Sequence, residues 1–194
     1  MNRNWMFVLA AALMGLAAAV PAGAAMSEKE KALASPYPND LGPDTLPESV
    51  LKTYPKEAQD GYHFMLKRCA ACHTASRPLN SRFVEPDGGI SDAKQQAALD
   101  AMKKAQPELF KDPAVWEVDT KIWNRYVKRM MNKPGANIPR NEAKAIWEFL
   151  EYDGVARKTG KNAASWKAHR DELVKQFKAK FPKRYADLKA ANDL

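Results

Sequence analysis

Cysteine and histidine are scarce: the 194 residues include two cysteines and three histidines. A structural zinc site takes four ligands. Outside the short segment that holds both cysteines and one histidine, the chain offers only His63 and His169, so that site cannot be assembled. No alternation of apolar and polar residues at period two runs long enough for a strand, and the chain reads as all-α. Internal repeats are absent as well. Paired carboxylates, a nucleophile beside a base and a second metal cluster are all missing, and bond-making catalysis draws on such groups. The longest apolar run, residues 5–20, falls short of the roughly 20 residues that span a bilayer.

That run still has a meaning. It follows the basic start Met1-Asn2-Arg3-Asn4 and precedes the small residues Pro21-Ala22-Gly23-Ala24-Ala25. This order is that of a secretory signal peptide, residues 1–25, cleaved after Ala24 or Ala25. A retained anchor is the competing reading. The expected location is periplasmic or otherwise exported, with the mature chain starting near Met26. The formal charge is +8 and is unevenly spread. Residues 157–194 carry eleven Lys or Arg against four Asp or Glu, a net +7 in the last fifth of the chain.

Residues 26–55 read as a Pro-rich arm, because five prolines between positions 35 and 55 resist helix and strand alike. Residues 56–70 read as a helix, with Tyr62, Met65, Leu66 and Cys69 at three- and four-residue spacing. Further helices are expected over 91–105, from 113 or 115 to 131, and over 139–150, where Asp153-Gly154 ends the element. The third carries the stripe Trp116, Ile122, Trp123, Tyr126, Val127 and Met130. Beyond Gly160 a basic helical extension, residues 156–194, places Trp166, Leu173, Phe177 and Phe181 on one face, and Pro182 breaks it before a last short helix. Residues 56–155 form the expected domain.

Both cysteines lie in Cys69-Ala70-Ala71-Cys72-His73. A thioredoxin-like pair needs a strand-helix-strand setting that this segment lacks. A short disulfide leaves the histidine unexplained. The spacing is that of covalent c-type haem attachment: Cys69 and Cys72 form thioethers with the porphyrin vinyl groups, and His73 binds iron as an axial ligand. One haem c is expected. Its propionates are anionic and need partners, for which Arg82, Trp123, Arg125 and Tyr126 are candidates.

With this motif in place, residues 56–152 resemble a class I c-type cytochrome domain. The resemblance is carried by Gly61, the attachment motif, the stretch from Trp123 through Met130-Met131 to Gly135, and the final Ile146-Trp147-Glu148-Phe149-Leu150. It implies a small helical domain whose iron is held by His73 and by a methionine, Met130 with Met131 as the alternative. Thioether sulfur favours ferrous iron and raises the reduction potential relative to two histidines. The resemblance also implies that the carbonyl of Pro78 accepts the other ring nitrogen of His73. His63 and His169 are weaker candidates for iron.

The expected function is single-electron transfer, as a carrier and not an enzyme. One alternative is a haem enzyme or gas-binding sensor with an open or displaceable distal position, motivated by two methionines at a helix end. Another is a haem subunit docked to a larger oxidoreductase. The expected partners are redox proteins, acidic ones if the basic extension steers them. Nucleic acid is not expected, and membrane contact is at most peripheral.

Overall fold

The computed structural model describes residues 26–85, 92–105, 107, 121–191 and 193–194. The expected signal peptide, residues 1–25, and Trp116 lie outside the described residues. Nine helices, and no strand, occur among those that are described: α1 (Glu28–Ala34), α2 (Glu48–Leu51), α3 (Lys56–Cys69), α4 (Ser76–Leu79), α5 (Asp92–Ala105), α6 (Ile122–Met131), α7 (Arg140–Lys158), α8 (Ala163–Lys180) and α9 (Pro182–Ala190). The all-α expectation holds. None of these helices is long and apolar enough to cross a membrane.

Helices α3 and α7 form the centre of the fold. From α3, Ala58, Tyr62 and Met65 are buried against Ala143, Ile146, Phe149 and Leu150 of α7. Gly61 permits the approach, since a Cβ placed there would lie 2.2 Å from the carbonyl oxygen of Ala145. At the end of the crossing, Arg68 donates twice to the Glu142 carboxylate, at 2.6 and 2.9 Å. Such a forked pair fixes orientation as well as distance.

The arm departs from its expected extended form. Ser27 and Glu30 close a capping box at the start of α1, Pro38–Leu41 makes a 3-10 turn, and α2 adds one helical turn. Asp40 accepts the Tyr37 N–H at 2.9 Å, and the Leu46 N–H donates to the Tyr62 hydroxyl at 3.0 Å. These bonds satisfy backbone that the prolines leave without helix partners. Pro38, Leu46, Leu51 and Tyr54 are buried, so the arm belongs to the core.

Two helix boundaries also differ from expectation. Helix α6 starts at Ile122, after a left-handed Lys121 at φ +65°, and positions 113–120 of the expected helix lie outside the described residues. The fully buried Glu85 accepts the Lys121 N–H and, at 3.0 Å, the Trp123 N–H. A carboxylate from 36 residues away thus caps the helix. Helix α7 runs through Asp153-Gly154 to Lys158 and crosses the boundary expected after residue 155. Asp153 is compatible with a helix interior here because its carboxylate accepts from the Tyr54 hydroxyl at 2.9 Å and from Arg157 at 2.6 Å.

The extension covers the 3-10 turn and the end of α7. Helix α8 buries Trp166, Arg170, Leu173 and Phe177, and α9 buries Leu188. Phe181, the fourth apolar position expected on this face, is half-buried, with its ring 5.2 Å from that of Phe177.

Replacing Gly61 with alanine tests the crossing. The clash is with backbone, which cannot step aside as a flexible side chain can, so the expected loss is about 3 kcal/mol, at the upper end for overpacking. Chemical denaturation of Gly61→Ala against the parent protein measures it.

Candidate functional site

Helix α3 delivers the cysteine motif. Its last turn continues past Cys69, whose carbonyl accepts the N–H of Cys72 at 3.2 Å and of His73 at 3.3 Å. Both thiols are free. Burial, with a smaller contribution from Cys72, pushes the Cys69 thiol up to about 12. Thiol–disulfide exchange relies on a depressed thiol, so Cys69 is the opposite of an exchange nucleophile.

Cys69 and His73 line an open cleft with about 1100 Å³ of atom-free space, the solvent at its mouth included. Across it α6 contributes Trp123, Tyr126, Val127 and Met130, α7 contributes Leu150, and residues 81–83 contribute Ser81, Arg82 and Phe83. Pro78 lines it too. Seven of the residues expected at the site therefore meet in one place: Cys69, His73, Pro78, Arg82, Trp123, Tyr126 and Met130.

The other expected residues do not line the cleft. Cys72 is half-buried on the turn that follows Cys69. Met131 lies about 100° around α6 from Met130 and packs against the core. Arg125 sits on the exposed side of α6; Arg129, one turn further on, lines the cleft instead. His63 is exposed, and His169 bonds through Nε2 to Asn80 Oδ1 at 3.0 Å beside a neighbouring depression.

The expected role of Pro78 is corrected. His73 Nδ1 lies 2.8 Å from the carbonyl of Thr74, while the Pro78 carbonyl accepts the Ser81 N–H at 3.3 Å. The nearer carbonyl wins because the chain turns immediately after His73. Burial lowers the His73 pKa, and the Thr74 carbonyl opposes this only in part. The ring is therefore held neutral, with Nδ1 as the donor and the Nε2 lone pair left for a metal.

The polar lining is cationic. Arg77, Arg82, Arg129 and Arg170 all border the cleft. Arg77 is held by the Asp40 carboxylate at 2.6 Å, and Arg170 donates to the carbonyl of Asn80 at 2.8 Å. Two buried donors in the wall, the indole N–H of Trp123 and Nε of Arg170, have no hydrogen-bond partner among the described residues. Arg82 donates to the terminal carbonyl of Leu194 and stands 3.7 Å from the Asp193 carboxylate, so the chain's own end brings oxygen acceptors to the same wall. Arg77, Arg129, Arg170 and the C-terminal pair are absent from the sequence reading; no spacing rule links residues so far apart in the chain. Comparisons of the chain with family models, curated proteins and solved structures return no match.

This donor set has a definite chemical character. Thiol, imidazole and thioether surround an apolar interior, and arginines with unpartnered N–H groups stand at one side. Residues of these kinds can hold a flat apolar group with anionic substituents at its edge.

Asp40 tests the cationic wall. Burial raises its pKa, but bonds from Arg77, Tyr37 and Thr74 outweigh burial, and the net direction is down. A depressed carboxylate stabilises the fold above its ordinary value of 3.8 and loses that contribution as pH falls through the lower folded value. Asp40→Asn is expected to cost about 2 kcal/mol at neutral pH, less than for a fully buried pair because Arg77 remains partly exposed. It also flattens the acid limb of the stability profile, read by denaturation at graded pH.

Proposed function

We propose that the protein is a one-electron carrier with a single covalent haem c in this cleft. One observation carries the reading: Cys69 and His73 of one motif line the same cavity as Met130, distant in sequence, and a buried indole N–H with no partner among the described residues. The class I cytochrome resemblance of residues 56–152 points the same way. When bound, the haem supplies the Fe(III)/Fe(II) couple.

The chain's own residues have separate tasks. Cys69 and Cys72 tether the macrocycle, His73 offers a neutral Nε2 already oriented by the Thr74 carbonyl, and Met130 offers a soft sulfur from the end of α6. Arg82, Arg129, Arg170 and the Trp123 N–H answer the propionates, which replace the carboxyl end of the chain at Arg82. Phe83, Val127 and Leu150 exclude water from the metal. Met130 is favoured over Met131 because it alone of the two lines the cleft.

An electron carrier needs an exposed cofactor edge and a transient contact, and the open side of the cleft provides the first. For the second, Lys175, Lys178, Lys180 and Lys183 are exposed on α8 and α9. They favour an acidic redox partner and make association salt-sensitive. The motif and the N-terminal segment both support an exported location, in the periplasm or beyond it.

The test is spectroscopic. The isolated protein is expected to show a low-spin c-type haem spectrum and, when ferric, the weak near-infrared band of methionine ligation. Met130→Ala abolishes that band, and Met131→Ala retains it. A high-spin five-coordinate spectrum, or rapid carbon monoxide binding by the native protein, replaces the carrier reading with an open-site haem protein.

A further inference from the structure

Lys158, the last residue of α7, is 1% exposed. Its Nζ lies 5.7 Å from the Trp123 ring centroid and 5.0 Å from that of Trp166, between the cleft wall and the extension. It donates to the Ser81 carbonyl at 3.0 Å, to Ser81 Oγ at 3.3 Å and to the Phe83 carbonyl at 3.3 Å. Ser81, Phe83 and Trp123 all line the cleft. Only this one layer of side chains and backbone separates the amine from the space assigned to the cofactor.

Resting on the haem reading above, we propose that Lys158 is the proton site coupled to the redox state of the cofactor: its amine takes up a proton on reduction and returns it on oxidation. The balance is simple. A one-electron donor protein supplies the electron to Fe(III). Water in the cleft supplies the proton, passed across the Ser81 hydroxyl, and one N–H bond forms on Nζ. No other bond changes, and the total charge of the buried region stays constant.

The physical reason is the cost of unbalanced charge inside a low-dielectric region. Oxidation adds one positive charge to the iron, close to an ammonium that is already cut off from solvent. Burial lowers the Lys158 pKa to about 7, against an opposing pull from Asp153, so both protonation states are accessible near neutrality. Arg157 on α7 and Arg170 on α8 push in the same direction as burial. Arg82 acts on Arg170 from residues 81–83. His169 on α8 is a titratable neighbour, lowered first by burial, and α6 offers the neutral Trp123 ring. Lys158 itself is bonded to the backbone of Ser81 and Phe83 in the cleft wall.

Potentiometric titration of the holoprotein from about pH 6 to about pH 9 tests the coupling. The midpoint potential is expected to fall with rising pH between two plateaus, because the reduced state holds the proton more tightly. A tenfold difference in proton affinity corresponds to 59 mV for a one-electron couple. Lys158→Met gives a flat profile at the wild-type high-pH plateau, while His169→Gln keeps the wild-type slope. Should Lys158→Met fail to fold, NMR of the lysine Nζ groups in the wild type reads the same quantity: Lys158 titrates at higher pH in the reduced than in the oxidised protein. A coloured protein whose potential is pH-independent overturns this proposal alone, as does a slope that survives in Lys158→Met or vanishes in His169→Gln. A Lys158 signal that titrates identically in both redox states overturns it too. A protein without haem absorbance overturns the haem reading and this one together.

Discussion

The missing side chain at Gly61 sets the geometry on which the rest depends. With no Cβ, α3 lies against the Ala145 carbonyl of α7, and the two helices become the fixed frame. One end of α3 is then Cys69 and the turn to His73. The far end of α7 carries Leu150 into the cleft and, two turns later, Lys158 behind its wall. A wider crossing would separate these two ends and with them the motif from its cavity. Burial of Tyr62, Met65, Ile146 and Phe149 in the seam supplies the driving force, at about 25 cal/mol per Å² of apolar surface.

Much of this was legible in local pattern. The apolar spacing of residues 56–70 gives α3 to within one residue, and the aromatic face of the extension gives α8, because both helices bury a stripe that recurs at their own period. Cys69 and His73 were legible as chemistry from residue type and spacing, and Met130, with Met131 as the alternative, only through the family resemblance. What failed to show locally was decided at a distance. The start of α6 is set by Glu85, whose carboxylate caps a helix it does not belong to. Asp153-Gly154 has the composition of a helix stop, yet Asp153 is neutralised within α7 by Arg157 and by Tyr54, a residue 99 positions earlier. The prolines of the arm resist long helices, but short turns anchored by Asp40 and Tyr62 suit them.

The charge of the extension has two fates. Most of its exposed lysines lie on α8 and α9, while Lys158 and Arg170 are buried at the cleft wall and Arg157 is half-buried. A count of +7 therefore overstates the charge available to a partner. These cations are compensated by different means: Arg157 by the Asp153 carboxylate at 2.5 Å, Arg170 by backbone and amide oxygens, Lys158 by three oxygens and two indole faces. Among the described residues, Arg157 alone of the three has a carboxylate partner at ion-pair distance.

This arrangement also explains why the extension is not a separable tail. Trp166 comes from α8 and Trp123 from α6, and the Lys158 ammonium is held between them. Removing α8 would strip one indole face from a buried cation, take Arg170 out of the wall, and free the C-terminal residues from Arg82. Cation–π contacts in a desolvated setting reach about 2 kcal/mol each, so the loss would fall on the cleft itself and not on a distant surface. The basic segment thus shapes the electrostatics of the cavity from behind, and its exposed lysines present the outward half of the same charge.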